Sequence, residues 1–174
     1  AEEHRWRGGS GPLRNGKGSR CEAGCRLPCM ARWPGKVPAG RTSDAIFATI
    51  DFMPTFANLC GFETPKDRRI DGIDQTALLL GKREVGRDHF YFNKAGVRKG
   101  KWKYLKPNAH FFGYAVEDDR KKVDELYDLE ADLGETTNLA AKHPEIVTEL
   151  KQLMEQVEST ESIRNDASKS SGPK

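Results

Sequence analysis

One stretch limits what this chain can become more than any other: Gly11-Pro12-Leu13-Arg14-Asn15-Gly16-Lys17-Gly18-Ser19-Arg20-Cys21-Glu22-Ala23-Gly24-Cys25-Arg26-Leu27-Pro28-Cys29-Met30-Ala31-Arg32-Trp33-Pro34-Gly35. It sets Lys17 between Gly16 and Gly18. Glycine lacks a Cβ, so the backbone there can come close to a ligand, and the Lys17 ammonium is left as the only side chain projecting at that point. Such a geometry suits an anion. Glycine pairs also flank lysines in loops that bind nothing, so the tripeptide alone leaves a solvated loop lysine as the competing reading. Residues 1–20 are rich in glycine and poor in apolar side chains, which predicts an irregular, ligand-facing loop.

The 174 residues, 36% apolar and 32% charged, suffice for one ordinary domain, or for the tail of one domain and a small second one. No apolar run is long enough to cross a bilayer, and no signal peptide stands at Ala1. A first residue of Ala followed by polar sequence suggests that the chain starts within a longer one. The net charge of +3 conceals an asymmetry: residues 1–42 hold nine Lys/Arg against three Asp/Glu, and residues 117–161 hold five against fourteen. A basic leading segment fits nucleic acid or a small anion. Its arginines are scattered among Gly, Trp and Pro with no helical stripe, which favours the small anion and argues against nucleic acid. Cys21, Cys25 and Cys29 are evenly spaced, but a zinc site needs a second, distant pair that this chain lacks. Small buried hydrophobes, or one disulfide in an oxidising compartment, remain the plainer readings of the four cysteines.

Along the chain, alternation over Cys25 to Arg32 predicts a strand, with Pro28 marking an edge or a strand start, closed by a turn at Trp33-Pro34-Gly35. Residues 43–50 suit a short extended piece. A helix follows, with Asp51 as N-cap, Pro54 in the first turn and Gly61 at the end; Phe52, Met53, Phe56, Leu59 and Cys60 form its expected buried face. Thr76 to Leu80 reads as a helical turn and His89 to Asn93 as an aromatic strand. Ala95 to Leu105 reads as a hairpin turning at Lys99-Gly100, with Trp102 and Tyr104 on one face and a solvated face carrying Lys101 and Lys103. Leu126 to Leu129 is a further strand. From Pro144, the residues Ile146, Val147, Leu150, Leu153, Met154 and Val157 keep a 3.6-residue period, so this helix should lay its apolar face on the small sheet. Residues 161–174 are polar throughout and read as a disordered tail.

The leading stretch resembles the segment of type I sulfatases, the arylsulfatase branch of the alkaline phosphatase superfamily, that reads GPLR-x-GKG-x-x-x-EGG-x-R-x-P followed by WPG. Three further motifs occur in family order: Asp51 to Gly61 (D-x-x-PT-x-x-x-L-x-G), Ile70 to Asp74 followed by Leu-Leu-x-Gly, and Glu125 to Ala140 (ELYDL-x-x-D-x-GE-x-x-NLA). Ala23 departs from the pattern, standing where the family has the first glycine of Glu-Gly-Gly, and a shift in the local turn is expected there. The resemblance implies an α/β fold, an α+β fragment: the tail end of an alkaline-phosphatase-like α/β/α domain (residues 1–87) followed by a small antiparallel sheet packed by a C-terminal helix (residues 88–160). It implies a sulfatase that hydrolyses sulfate esters with a formylglycine nucleophile and a divalent metal, usually calcium, both contributed from the N-terminal remainder of the domain. No metal ligand is expected within this chain, and the chain alone should be inactive.

Of the family's catalytic set, only the lysine of Gly-Lys-Gly carries over, and that is Lys17, contacting a sulfate oxygen and the bridging oxygen. Gly16, Gly18, Glu22 and Arg26 belong to the same motif structurally, Glu22 and Arg26 as an ion pair or as partners of backbone groups. His4 could line the site mouth and His110 could touch the organic part of the substrate; for both, a surface loop histidine is the plainer reading. The implied partners are a sulfated small molecule or glycan and the N-terminal remainder. The implied location of the parent is periplasmic, lysosomal or extracellular. Two other readings stay open: a phosphate-ester or phosphonate hydrolase of the same superfamily, and a non-catalytic binding or assembly module.

Overall fold

The computed structural model describes residues 10–109 and 123–170, with side chains through Thr160. The chain forms two compact units, one of Ala1–Leu27 with Tyr91–Lys174 and the other of Pro28–Phe90. The leading glycine-rich loop thus folds with the C-terminal sheet and helix.

In the first unit a four-stranded sheet takes the order β1 (His89–Tyr91), β2 (Gly96–Lys99), β3 (Trp102–Leu105) and β4 (Glu125–Asp128), with β1 carrying the chain into this unit. The hairpin register pairs Val97 with Tyr104 and Lys99 with Trp102, so the two-residue turn is Gly100-Lys101, one position beyond the expected turn. β3 and β4 pair antiparallel with Tyr104 opposite Leu126 and Lys103 opposite Tyr127. Side chains alternate across a sheet, so Val97, Tyr104 and Leu126 share one face. Helix α4 (Pro144–Ser170) covers that face with Val147, Leu150 and Met154, and these six residues form the core. The apolar stripe read from the sequence is therefore the packing face, and the small antiparallel sheet packed by a C-terminal helix is as expected. The helical backbone continues past Glu161 to Ser170, beyond the point where the polar sequence suggested that order ends.

The opposite face carries Lys103, Leu105, Glu125 and Tyr127, and the structure overturns the expectation that it is solvated. Lys103 is wholly buried, as are Leu105, Glu125 and Tyr127, because residues 12–22 lie over this face. The alternation was read correctly; the cover comes from sequence more than eighty residues away. Lys101, of the same parity but placed in the hairpin turn, does stay half-exposed beside Asp128 and over the Trp102 ring.

The predicted strand over Cys25 to Arg32 does not form. Cys25 ends a one-turn helix, α1 (Glu22–Cys25), and residues 26–32 have no regular structure. Pro28 lacks an N–H for a ladder, and the side chains that would have faced inward stay out, Leu27 at 77% exposure with Cys29 and Ala31 exposed beside it.

In the second unit, the extended piece expected before the helix gives way to a 3-10 turn at Thr49–Asp51. Asp51 causes it. Its buried carboxylate accepts the Ala48 N–H (2.9 Å) and the Ile73 N–H (2.9 Å) and is paired with Arg87, so it gathers three chain segments instead of capping the helix. Helix α2 (Phe52–Leu59) closes at Gly61, whose N–H bonds to Asn58 while the Phe62 N–H bonds to Ala57. Its predicted buried face is corrected too. Pro54 and Thr55 are inside, Thr55 accepting the Gln75 N–H next to helix α3 (Thr76–Leu79), whereas Met53, Phe56 and Cys60 are exposed. A polar hub of Asp51, Thr55, Gln75 and Arg87 orders this unit, where periodicity had pointed to an apolar one.

Candidate functional site

The site is built from the turn that carries Lys17. The Ser19 N–H donates to the Gly16 carbonyl (3.1 Å), and the Ser19 hydroxyl donates to the same oxygen (2.8 Å), closing a four-residue turn with Lys17 and Gly18 at its centre. Gly18 has φ +90°, the value a type II turn requires at its third residue and one that side-chain-bearing residues avoid. Lys17 thus stands at the turn corner, exposed, and makes no ion pair or hydrogen bond among the described residues.

Helix α1 braces the turn from beneath. A Cβ at Gly24 would lie 2.1 Å from the Ser19 carbonyl oxygen and 2.7 Å from that of Gly16, so only glycine allows this approach. Ala23 sits in the helix with the Arg14 carbonyl accepting its N–H (3.2 Å) and needs no left-handed backbone. Alanine is therefore compatible at that position, with no positive φ to force the turn shift expected there; the glycine the geometry demands is the second of the pair.

The charged residues flanking Lys17 are engaged within the protein. Arg14 donates to Glu125 (3.1 Å) and to the Tyr127 hydroxyl (2.9 Å), in a buried group where Tyr127 also bonds to Glu125. Burial, with the Glu125 carboxylate, pushes the Tyr127 hydroxyl up and keeps it protonated. Glu22 and Arg26 form an i, i+4 ion pair through Nε and Nη2, both at 2.9 Å. Glu22 is itself buried and its other oxygen lies 2.9 Å from Lys103 Nζ. Glu135 completes this group. Its Oε2 accepts the Glu22 N–H (2.8 Å), and its Oε1 lies 2.9 Å from Lys103 Nζ, at ion-pair distance but off hydrogen-bond alignment. Burial acts to raise the Glu22 carboxyl, but Lys103 and Arg26 outweigh it and hold it below the usual carboxylate range.

Sequence reasoning missed Lys103, Glu135, Arg14 and Glu125 as parts of this arrangement. Glu135 lay in the Gly134-Glu135 motif but without a visible partner, and nothing near Lys103 in sequence shows what covers it. His4 and His110 lie outside the described residues. The thiols of Cys21, Cys25, Cys29 and Cys60 are all free; burial raises that of Cys21 and pushes that of Cys25 up to about 11. The described residues hold no group of three or more His, Cys, Asp or Glu that could bind a metal ion, and the buried carboxylates are committed to cations: Glu22 and Glu135 to Lys103, Glu125 to Arg14, Asp51 to Arg87. This donor set does not fit a divalent metal.

The model of the family described as N-sulphoglucosamine sulphohydrolase, C-terminal, matches residues 17–160. The chain belongs to the sulfatases. It is 36% identical over 154 residues to the N-acetylgalactosamine-6-O-sulfatase of Bacteroides thetaiotaomicron, covering 84% of this chain and 30% of that protein. It is 35% identical over 176 residues to human arylsulfatase A, covering 84% and 33% respectively. A solved structure from work on the metabolism of multiple glycosaminoglycans by Bacteroides thetaiotaomicron superposes with a TM-score of 0.72 at 35% identity, over 85% of this chain and 32% of that one. A Pseudoalteromonas sp. sulfatase shares the fold, with a TM-score of 0.73 at 24% identity over 86% and 32%. The chain thus spans about a third of the length of these sulfatases. Sulfatases are generally metal-dependent, and no described helix of this one is long and apolar enough to cross a membrane.

Proposed function

We propose that this chain is the C-terminal part of an enzyme that hydrolyses sulfate esters and that Lys17 is its contribution to the reacting centre. The observation that carries the reading is the contrast along one loop. Arg14, Glu22 and Arg26 are engaged inside the protein, while Lys17 alone is held out on a closed and braced turn. A fixed ammonium can donate to a sulfate oxygen and to the bridging oxygen, and its contribution grows as the S–O bond breaks and charge moves to the leaving oxygen. The turn is closed by backbone and serine hydrogen bonds that do not involve Lys17, so the backbone that carries the ammonium is set before the reaction and the side chain is left free to reach the sulfate.

On this reading the nucleophile, a formylglycine, and a calcium ion come from residues outside this chain. The ion would supply charge neutralisation at the sulfate. Residues 1–87 then end the catalytic domain and 88–160 form its C-terminal subdomain, and the substrate is a sulfated small molecule or glycan. The parent is exported to the periplasm, the lysosome or the exterior; a full-length gene product without a signal peptide counts against that.

Steady-state kinetics of the full-length protein on two aryl sulfates of different leaving-group pKa test the assignment. Lys17→Ala lowers kcat by roughly 10²- to 10³-fold on the poorer leaving group and by less on a nitrophenyl sulfate, with a smaller effect on KM. Lys17→Arg does not restore full activity, because a planar guanidinium cannot fill the slot of a compact ammonium. Unchanged kcat in both variants makes Lys17 a surface lysine. The 174-residue chain alone gives no turnover, with or without calcium.

A further inference from the structure

The reading above uses Lys17 and leaves unexplained the most deeply buried ionic group of the same unit. Lys103 Nζ lies 2.9 Å from both Glu22 Oε1 and Glu135 Oε1 and 4.9 Å over the Phe92 ring, with its side chain wholly enclosed. Lysine is almost never fully buried unless paired. Bringing three charges out of water costs desolvation that an apolar side chain of the same size avoids, so stability is a poor reason for the group to exist. What it supplies is position.

The element it positions is α1. A one-turn helix cannot hold itself, because the cost of nucleation is not recovered over so few residues. α1 is gripped at Glu22, where Glu135 takes the backbone N–H (2.8 Å) and Lys103 takes the carboxylate. Two residues on, Gly24 abuts the Gly16 carbonyl oxygen, the same oxygen that accepts both Ser19 bonds and closes the Lys17 turn. A displacement of α1 is therefore passed to the turn through a contact with no slack.

We propose that Lys103 is a positioning residue for Lys17: by bridging Glu22 and Glu135 it anchors α1, and α1, through Gly24, sets where the Lys17 ammonium stands. This rests on the assignment of Lys17 to the reacting centre. An arginine at 103 keeps the charge, but its planar fork does not fit a slot shaped by two carboxylate oxygens at 2.9 Å from one ammonium, so α1 must shift.

The test is a pair of double-mutant cycles in the full-length protein, assayed on 4-nitrophenyl sulfate and on an aryl sulfate with a poorer leaving group. Lys103→Arg and Gly24→Ala each lower kcat, roughly ten- to a hundredfold for a displacement near 1 Å, with KM held within about twofold. In the Lys17→Ala background neither lowers kcat by more than about twofold further, because the group they position is gone. Gly24→Ala changes no charge and carries the test if Lys103→Arg does not fold. Losses that multiply with that of Lys17→Ala refute the proposal, as does a wild-type kcat in both variants accompanied by a lower melting temperature. A wild-type kcat in Lys17→Ala itself overturns the site assignment instead, and that single variant reveals it before either cycle is closed.

Discussion

Replacing Lys103 by Met removes one charge from the buried cluster while leaving its volume nearly unchanged, so the effect isolates electrostatics from cavity formation. Glu22 keeps Arg26 at 2.9 Å and Arg98 at 3.7 Å. Glu135 keeps the hydrogen bond from the Glu22 N–H but, among the described residues, has no other cation at ion-pair distance. Breaking a buried pair by removing one partner costs about 3–5 kcal/mol, a large share of the roughly 5–15 kcal/mol that holds a domain together. At 1.4 kcal/mol per tenfold, amides of α1 and β3 should exchange with solvent roughly two to three and a half powers of ten faster than in the wild type. The pH dependence carries a sign. The depressed Glu22 carboxyl contributes stability that is present above its unfolded pKa of about 4.3 and is lost as pH falls through its lower folded value. In Lys103→Met the Glu22 carboxyl loses the cation that does most to depress it, so less of this stability is left to lose, and the deficit against the wild type shrinks as pH falls below about 4.3. Hydrogen exchange with mass-spectrometric detection, compared as a variant-to-wild-type ratio at each pH, reads both effects. Unchanged protection, or a deficit that grows as pH falls, would refute the reasoning.

Arg87→Ala strips the cation that, among the described residues, alone pairs with the enclosed Asp51 and should weaken protection of α2 by about 3 kcal/mol, read in the same exchange experiment. Leu150→Ala, at 1% exposure in the core against the sheet, should cost about 3 kcal/mol in urea denaturation, whereas Glu149→Ala one residue away, in an exposed pair with Lys99, should cost less than about 0.5 kcal/mol. Alkylation by iodoacetamide at pH 8, followed by peptide mapping, should modify Cys29 in the folded protein and spare Cys21 and Cys25, which burial keeps as thiols; equal labelling of all three would contradict their placement.

Local chemistry was legible where a residue's role is decided by its neighbours in sequence. The 3.6-residue period from Pro144 gave the face of α4, Gly61 gave the end of α2, and the alternation of Trp102 and Tyr104 gave the sheet's core side. Reading failed where a distant segment decides. Lys103 looks like a solvent lysine until residues 12–22 are laid over it, and Asp51 looks like a helix cap until Arg87 and the Ile73 N–H arrive. At the candidate site Lys17 was visible because its glycines are adjacent to it. Gly24 was passed over in favour of Ala23 because a close approach, unlike a turn, leaves no mark in the sequence beyond the glycine itself.

The leading loop and the C-terminal sheet belong to one unit although their contacts reach far along the chain: Lys103 to Glu22 spans 81 positions, Arg14 to Glu125 spans 111, and Glu22 to Glu135 spans 113. During synthesis the loop that carries Lys17 is made first and must wait. At ribosomal rates the residues up to Glu135 follow over roughly 6 to 25 s, and until they have all emerged Glu22 lacks its full set of long-range partners. Closing contacts of such separation is slow and gains nothing until both ends are present. A chain cut short before β4 therefore loses more than its end, since it leaves the first-made loop without Glu125, Tyr127 and Glu135, which hold Arg14 and the Glu22 N–H. If Lys17 acts as proposed, damage near the C-terminus and damage at Lys17 itself then converge on the same defect.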